Sequence, residues 1–303
     1  MENSPSNNKK SFLLGSIVIM RPVNCVMGSL TVIIGVLNTR IGIPFNILLM
    51  NIVLGVLTYY FLAGSGMIIN DIYDIEIDRI NRPKRPIPSG SVSLKQAKIL
   101  FLLTYGIGVA IAIFHSLVFN LGFFNVILAI FFGFIGWLYA KYGKKSGFPG
   151  NIIVSVSFSI GLIYGAVLNS SILPMYIYFF FLTSFFLLLS REIIKGCEDI
   201  EGDKKEGVKT LAIKIGIKKA TYYSIVFQVF GIIFFVLPLF TNIINPLFFM
   251  FSMFFGIAVV IFAIIFAIKS LGKNLEKKDF KIISLALKMG MLLGLIAFIF
   301  ASL

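Results

Sequence analysis

Charge is scarce in this 303-residue chain: 13% of residues are Asp, Glu, Lys or Arg, against about 25% in a soluble domain. That shortage, with 58% apolar residues and a mean hydropathy of +0.97, excludes an ordinary cytosolic fold and a disordered chain. Cysteine is nearly absent. Cys25 and Cys197 lie far apart without metal-ligand spacing, so neither a disulfide scaffold nor a zinc site is indicated. The single histidine, His115, sits near the far end of an apolar run, where packing is the expected role. The two GxxxG pairs, Gly161 with Gly165 and Gly290 with Gly294, fit close helix packing and carry no information on oligomeric state.

Long apolar runs are what the chain does have. A membrane-crossing helix needs about 20 apolar residues, and nine runs qualify, at about 12–36, 45–69, 96–118, 122–140, 150–168, 173–194, 217–239, 244–268 and 280–302. The expected fold is all-α: a polytopic membrane protein with nine transmembrane helices, forming one domain over 1–303. It has a polar tail at 1–11 and cap loops at about 70–95 and 192–216. The apolar run after the tail is too long for a cleaved signal and is read as a retained helix.

Net charge is +14, and its placement is informative. Of the 27 Lys and Arg residues, only Arg40 falls in the short gaps Asn38–Pro44, Asn120–Leu121, Asn169–Ser171 and Thr241–Pro246. Alternate gaps lie on alternate sides of a membrane, so the basic gaps and the N-terminus are expected in the cytoplasm, at the cell membrane. The surplus suits anionic membrane lipid and phosphate groups; no nucleic-acid partner is expected.

Acids are rarer than bases, yet ten of the 13 fall in two stretches on that basic side. Asp71, Asp74, Glu76 and Asp78 follow the second run. Glu192, Glu198, Asp199, Glu201, Asp203 and Glu206 follow the sixth. Asp71, Asp74 and Asp78 are spaced i, i+3, i+7, and Asp199 and Asp203 i, i+4, so each set occupies one helical stripe. Two carboxylates 4 Å apart repel by about 4 kcal/mol at an effective dielectric near 20. Such clusters call for a cation between them. Hard oxygen ligands favour Mg²⁺, which shares its shell with phosphate oxygens. Arg79, Arg82, Lys84, Arg85, Lys141, Lys144, Lys145 and Lys195 are close in sequence and suited to phosphate charge. The pattern fits a lipid diphosphate site; a helix end bridged by local salt bridges is the plain alternative.

NDIYDIEID running into RINRPKRPIPSGSVS, and EDIEGDKKEGVKTL, resemble the two signatures of the UbiA superfamily of intramembrane prenyltransferases. RPVN at Arg21–Asn24 is similar to the family's start. The resemblance implies helices around a central cavity, with Mg²⁺ bridging aspartates and the diphosphate of an isoprenoid donor. It implies metal ligation by Asn70, Asp71, Asp74, Asp78, Glu192, Asp199 and Asp203. Asp71, Asp74, Asp199 and Asp203 are then the catalytic set. Substrate contacts fall to Arg21, Asn24, Asn70, Arg79, Arg82, Arg85, Lys141, Lys144 and Lys195. Gly196 departs from the pattern, standing where many relatives carry an acid. Within the superfamily the motifs are closest to an archaeal ether-lipid branch. That implies geranylgeranyl transfer from its diphosphate to the hydroxyl of geranylgeranylglyceryl phosphate. Quinone-precursor, haem or chlorin acceptors are the alternatives, and a cation or lipid transporter is the non-enzyme reading. A transporter site is expected near the bilayer midplane, whereas these acids sit at helix ends.

Overall fold

The computed structural model describes residues 5–143, 146–205, 207–272 and 276–303, and these are helical and turn segments without strands. Eight helices are long and apolar enough to cross a membrane, or nine when the bent pair Phe12–Ile19 and Pro22–Asn38 is one span. The chain is thus a multi-pass, all-α membrane protein. It clusters into two compact units, Met1–Ile33 with Pro44–Lys141, and Ile34–Ile43 with Tyr142–Leu303.

The first unit begins with α1 (Pro5–Ile19) and α2 (Pro22–Asn38, which runs on into the second unit). The expected unbroken helix over 12–36 is instead bent by 40°. Pro22 is the cause: a proline ring clashes with the carbonyl four residues back and disfavours helical geometry in the residue before it. That residue, Arg21, adopts φ +50°. Next come α3 (Phe45–Tyr73), α4 (Ile75–Asn81), α5 (Leu94–Phe119) and α6 (Phe124–Leu138, extended by a π-helical turn over Tyr139–Gly143, whose last two residues fall in the second unit). α3 packs against α5 and α6. At one end of α3, Ile68 is buried with Ile19, Ile87, Val92 and Ala97. His115 is buried and shares a 2.8 Å hydrogen bond with Asn51, a packing role as expected.

The second unit contains α7 (Phe148–Val167), α8 (Met175–Glu198), α9 (Ile200–Lys205), α10 (Leu211–Ile215), α11 (Ile217–Val236), α12 (Pro246–Leu271) and α13 (Lys277–Phe300). α8 packs against α7, α11 and α13. Its Phe180 stacks on Phe298 at 4.0 Å between ring centroids, with Phe235 and Phe249 around them. The end of α2 is pinned here by polar groups. Asn38 donates to the Phe298 carbonyl at 2.8 Å, and its own carbonyl accepts from the Tyr176 hydroxyl at 2.5 Å. Small residues allow close approach where expected: Gly256 of α12 lies against Gly294 and Val260 against Gly290 of α13.

The two expected cap loops are largely helical. Residues 70–81 and 192–205 continue as helix with one interruption each, and 211–215 forms a further short helix; only Arg82–Ser93 is a true loop in the first. Acidic side chains on one stripe are compatible with helix once cations face them.

Gly35 of α2 makes a close backbone approach to α7. A Cβ there would strike the Leu162 carbonyl oxygen and lie 2.7 Å from the Ala166 nitrogen; neither backbone atom has anywhere to move. Gly35→Ala should destabilise the protein by about 1–3 kcal/mol, read as a lower thermal unfolding midpoint in detergent. An unchanged midpoint would contradict the close approach of α2 to α7.

Candidate active site

α3 is apolar over most of its length and turns polar in its last turn, at Asn70 and Asp71. The helix is interrupted at Asp74, which sits at φ −91°, ψ 4°. The hydrogen-bond ladder nonetheless carries across the joint: the Asp74 amide donates to the Asn70 carbonyl at 3.0 Å and the Asp78 amide to the Asp74 carbonyl at 2.8 Å. Asp71, Asp74 and Asp78 therefore stay on one stripe, as their spacing predicts, and all three are at most 5% exposed.

Burying carboxylates at this density is tolerable only with cations in place. Arg21 ion-pairs with Asp71 Oδ1. Arg85 Nη1 reaches the same oxygen at 3.1 Å and also ion-pairs with Asp78 Oδ2, so one guanidinium bridges two acids. Each arginine arrives by a local device. The left-handed backbone at Arg21 turns α1 into α2 beside Met67, whose sulfur lies 3.5 Å from the Arg21 guanidinium. Arg85 is carried by the Arg82–Ser93 loop, which folds back on itself: the Val92 amide and the Ser91 hydroxyl both donate to the Pro86 carbonyl, at 3.0 and 3.1 Å. Ile87 and Val92 anchor that loop in the apolar cluster against α3. The anchoring role of RPIPSG was missed by sequence reasoning, although its alternation of apolar and turn residues was a usable signal.

Asn70 completes the group. Its amide nitrogen donates to Asp74 Oδ2 at 3.0 Å, while its carbonyl oxygen Oδ1 is buried with no hydrogen-bond partner. A buried orphan acceptor beside a carboxylate fits a hard divalent cation, which takes oxygen ligands only. The residues present thus suit Mg²⁺ at Asn70 and Asp74. Asp71 and Asp78 are instead engaged by guanidinium groups. Among the described residues, no three Asp, Glu, His or Cys side chains form a metal-holding group by themselves.

The second unit repeats the local design. α8 ends at Asp199, at φ −101°, ψ 13°, with its amide bonded to the Lys195 carbonyl at 2.9 Å. The Asp203 amide bonds to the Asp199 carbonyl at 2.9 Å, as Asp78 does to Asp74. By this correspondence Lys195 matches Asn70 and Gly196 matches Asp71. A Cβ at Gly196 would meet only Thr210, at ordinary contact of 3.4 Å, so the absent acid leaves no packing defect.

The remaining expected residues have surroundings of their own. Arg79 is exposed and pairs with Glu76 at 3.0 Å, because one step along α4 turns it away from the Asp78 stripe. Asn24 is exposed on the first turn of α2, so of the RPVN pair only Arg21 reaches an acid. Glu192 ion-pairs with its neighbour Arg191 at 2.9 Å. Lys141 lies with its Nζ 5.0 Å from the Trp137 ring centre, a cation–π distance. Lys195 is half-buried near the end of α8. Lys144, Lys145 and Glu206 lie outside the described residues.

The sequence pattern of the UbiA prenyltransferase family matches residues 29–300. The chain belongs to that family. This UbiA-family chain is 35% identical over 287 residues to the digeranylgeranylglyceryl phosphate synthase of Methanosphaera stadtmanae, covering 93% of this chain and 97% of that protein. It is 36% identical over 290 residues to the synthase of the same name from Methanococcus maripaludis, covering 94% and 96%. A solved digeranylgeranylglyceryl phosphate synthase structure superposes with a TM-score of 0.81 at 31% identity, over 96% of this chain and 98% of that one. A UbiA homolog from Archaeoglobus fulgidus bound to GPP and Mg²⁺ shares the fold, with a TM-score of 0.65 at 17% identity over 94% and 99%.

Arg85→Ala should destabilise the UbiA-family chain by on the order of 3 kcal/mol, since it strips the shared partner from two buried carboxylates. Arg79→Ala should stay within about 0.5 kcal/mol of the parent, because its pair is exposed. Equal thermal unfolding midpoints for the two variants would contradict the assigned geometry.

Proposed function

We propose that the protein transfers a geranylgeranyl group from geranylgeranyl diphosphate to the hydroxyl of geranylgeranylglyceryl phosphate. The product is the second ether bond of an archaeal membrane lipid. The observation that carries the reading is the buried oxygen cluster at Asn70 and Asp74, flanked by the Arg21 and Arg85 pairs and standing at the end of an apolar span. The names of the curated relatives supply the acceptor. We further propose that residues 1–303 act as one domain in the cell membrane. The concentration of basic residues beside both motifs supports a cytoplasmic active face.

Asn70 and Asp74, with Asp199 and Asp203, are the proposed metal ligands; Asp71, Asp78 and Glu192, the other expected ligands, are held by Arg21, Arg85 and Arg191. When bound, Mg²⁺ supplies charge stabilisation for the departing diphosphate. Of the proposed phosphate-binding cations, Lys141 and Lys195 are the best placed by sequence beside their motifs, with Arg82 and Lys84 near Arg85. Arg79 pairs with Glu76 and Asn24 is exposed, so neither is assigned to the phosphate, and Lys144 is proposed from its place in the sequence. The bond from the allylic C1 to the diphosphate oxygen breaks with its electron pair leaving on the diphosphate. The acceptor hydroxyl oxygen then bonds to C1. Its proton passes to the released diphosphate or to a neighbouring carboxylate. The apolar helices exclude water that would otherwise capture the allylic cation.

Another acceptor, such as a quinone precursor, a haem or a chlorin, preserves the donor chemistry and is the runner-up. A cation transporter is disfavoured because the acids stand at helix ends.

Protein in vesicles, given both geranylgeranyl substrates and Mg²⁺, should form the diether product, and chelation of the metal should stop it. Asp74→Ala and Asp199→Ala should each lower turnover by about a hundredfold or more, the scale of one preorganised charge-stabilising group. Normal turnover in both variants would end the assignment; product formed only from quinone or chlorin acceptors would replace the acceptor.

A further inference from the structure

A pocket of about 430 Å³ opens beside the ion-pair network of the first unit, lined by Val18, Arg21, Asp71, Arg82, Lys84 and Arg85 with two prolines. It differs in chemistry from the Asn70–Asp74 group, neither member of which lines it. Its one carboxylate, Asp71, is 2% exposed and already holds both Arg21 and Arg85. The pocket therefore offers no free carboxylate to carry a divalent cation, and an anion entering it meets positive side chains directly. The charge balance is specific. Arg21, Arg82, Lys84 and Arg85 stand against Asp71 and, behind Arg85, Asp78, leaving a surplus of two positive charges. A phosphate monoester carries about −1.5 to −2 at neutral pH.

One wall is apolar. Val18 stands on α1 in line with Leu14 and Ile17, spaced i, i+3, i+4 on one face, and these are 48%, 65% and 57% exposed. A ligand with its head in the pocket has an apolar strip on which to lay a chain.

We infer that this pocket holds a phosphate monoester borne on an alkyl chain, its head among Arg82, Lys84, Arg85 and Arg21 and its chain along α1. Under the function proposed above, this is the phosphate of the acceptor, and that identity rests on that reading; the pocket's ligand class does not. Asp71 and Asp78 act here as positioning residues: they orient two guanidinium groups toward the anion. The donor's diphosphate belongs instead with the Asn70–Asp74 oxygens.

The test uses purified full-length protein without donor or Mg²⁺. Dodecyl phosphate, dodecanol and inorganic phosphate are compared for their shift of the thermal unfolding midpoint. Dodecyl phosphate should raise the midpoint of the parent more than either control. The rise should vanish in Arg82→Ala/Lys84→Ala and persist in the charge-conserving Arg82→Lys/Lys84→Arg, which controls for folding. No rise in the parent, or an undiminished rise in the Ala pair, would overturn the assignment, and an equal rise with inorganic phosphate would overturn its lipid part. In the transfer assay, the parent should prefer the phosphorylated acceptor over its dephosphorylated alcohol. The Ala pair should lose about tenfold or more of that preference, as expected for lost charge-assisted hydrogen bonds. An unchanged preference, with a raised KM for the donor instead, would contradict the division of anions. If the parent transfers nothing to either acceptor, the proposed function fails, while the dodecyl phosphate measurement still decides the pocket.

Discussion

Three carboxylates buried within two helical turns are the constraint on which the first unit depends. Asp71, Asp74 and Asp78 are almost wholly removed from solvent, where uncompensated charge is prohibitive. Compensation is local and specific. Arg85 bridges two of the acids, Arg21 shares one of them, and Asn70 donates to the third. Other features follow from the need to deliver these groups. The bend at Arg21 and Pro22 aims one guanidinium, and the loop anchored by Ile87 and Val92 aims the other. Packing against α3 and charge neutralisation are thus achieved by the same short segment.

The second unit shows what the design looks like without that demand. Asp199 interrupts a helix with nearly the backbone geometry of Asp74. Gly196 and Lys195 occupy the places of Asp71 and Asn70. Asp199 is exposed where Asp74 is buried. The two motifs therefore share a backbone plan and differ in burial and charge.

Much of this was legible in the sequence. The spans were, because a bilayer-crossing helix must be apolar along its whole length, and the run at 45–69 corresponds to α3 with a polar last turn added. The carboxylate stripe was legible too, since i, i+3, i+7 spacing holds wherever the helical ladder continues. The break at Arg21 was not, because hydrophobicity continues across it and only the Pro22 ring reports it. Nor was the choice between Arg79 and Arg85 as the partner of Asp78. Arg79 is adjacent in sequence, but its position on α4 turns it outward, whereas Arg85 returns through tertiary contacts made by Ile87 and Val92. Membership of the UbiA family was legible from the two aspartate motifs, and the family pattern matches residues 29–300.

The bridge between Arg85 and Asp78 can be isolated with a double-mutant cycle of Arg85→Gln and Asp78→Asn, read by unfolding free energy in detergent. If these side chains neutralise each other in the folded protein, the double variant should be more stable than the sum of the two single losses implies, with a coupling of about 1 kcal/mol or more. Strictly additive losses would show that the two charges do not interact, and the account of how the buried acids are tolerated would be wrong.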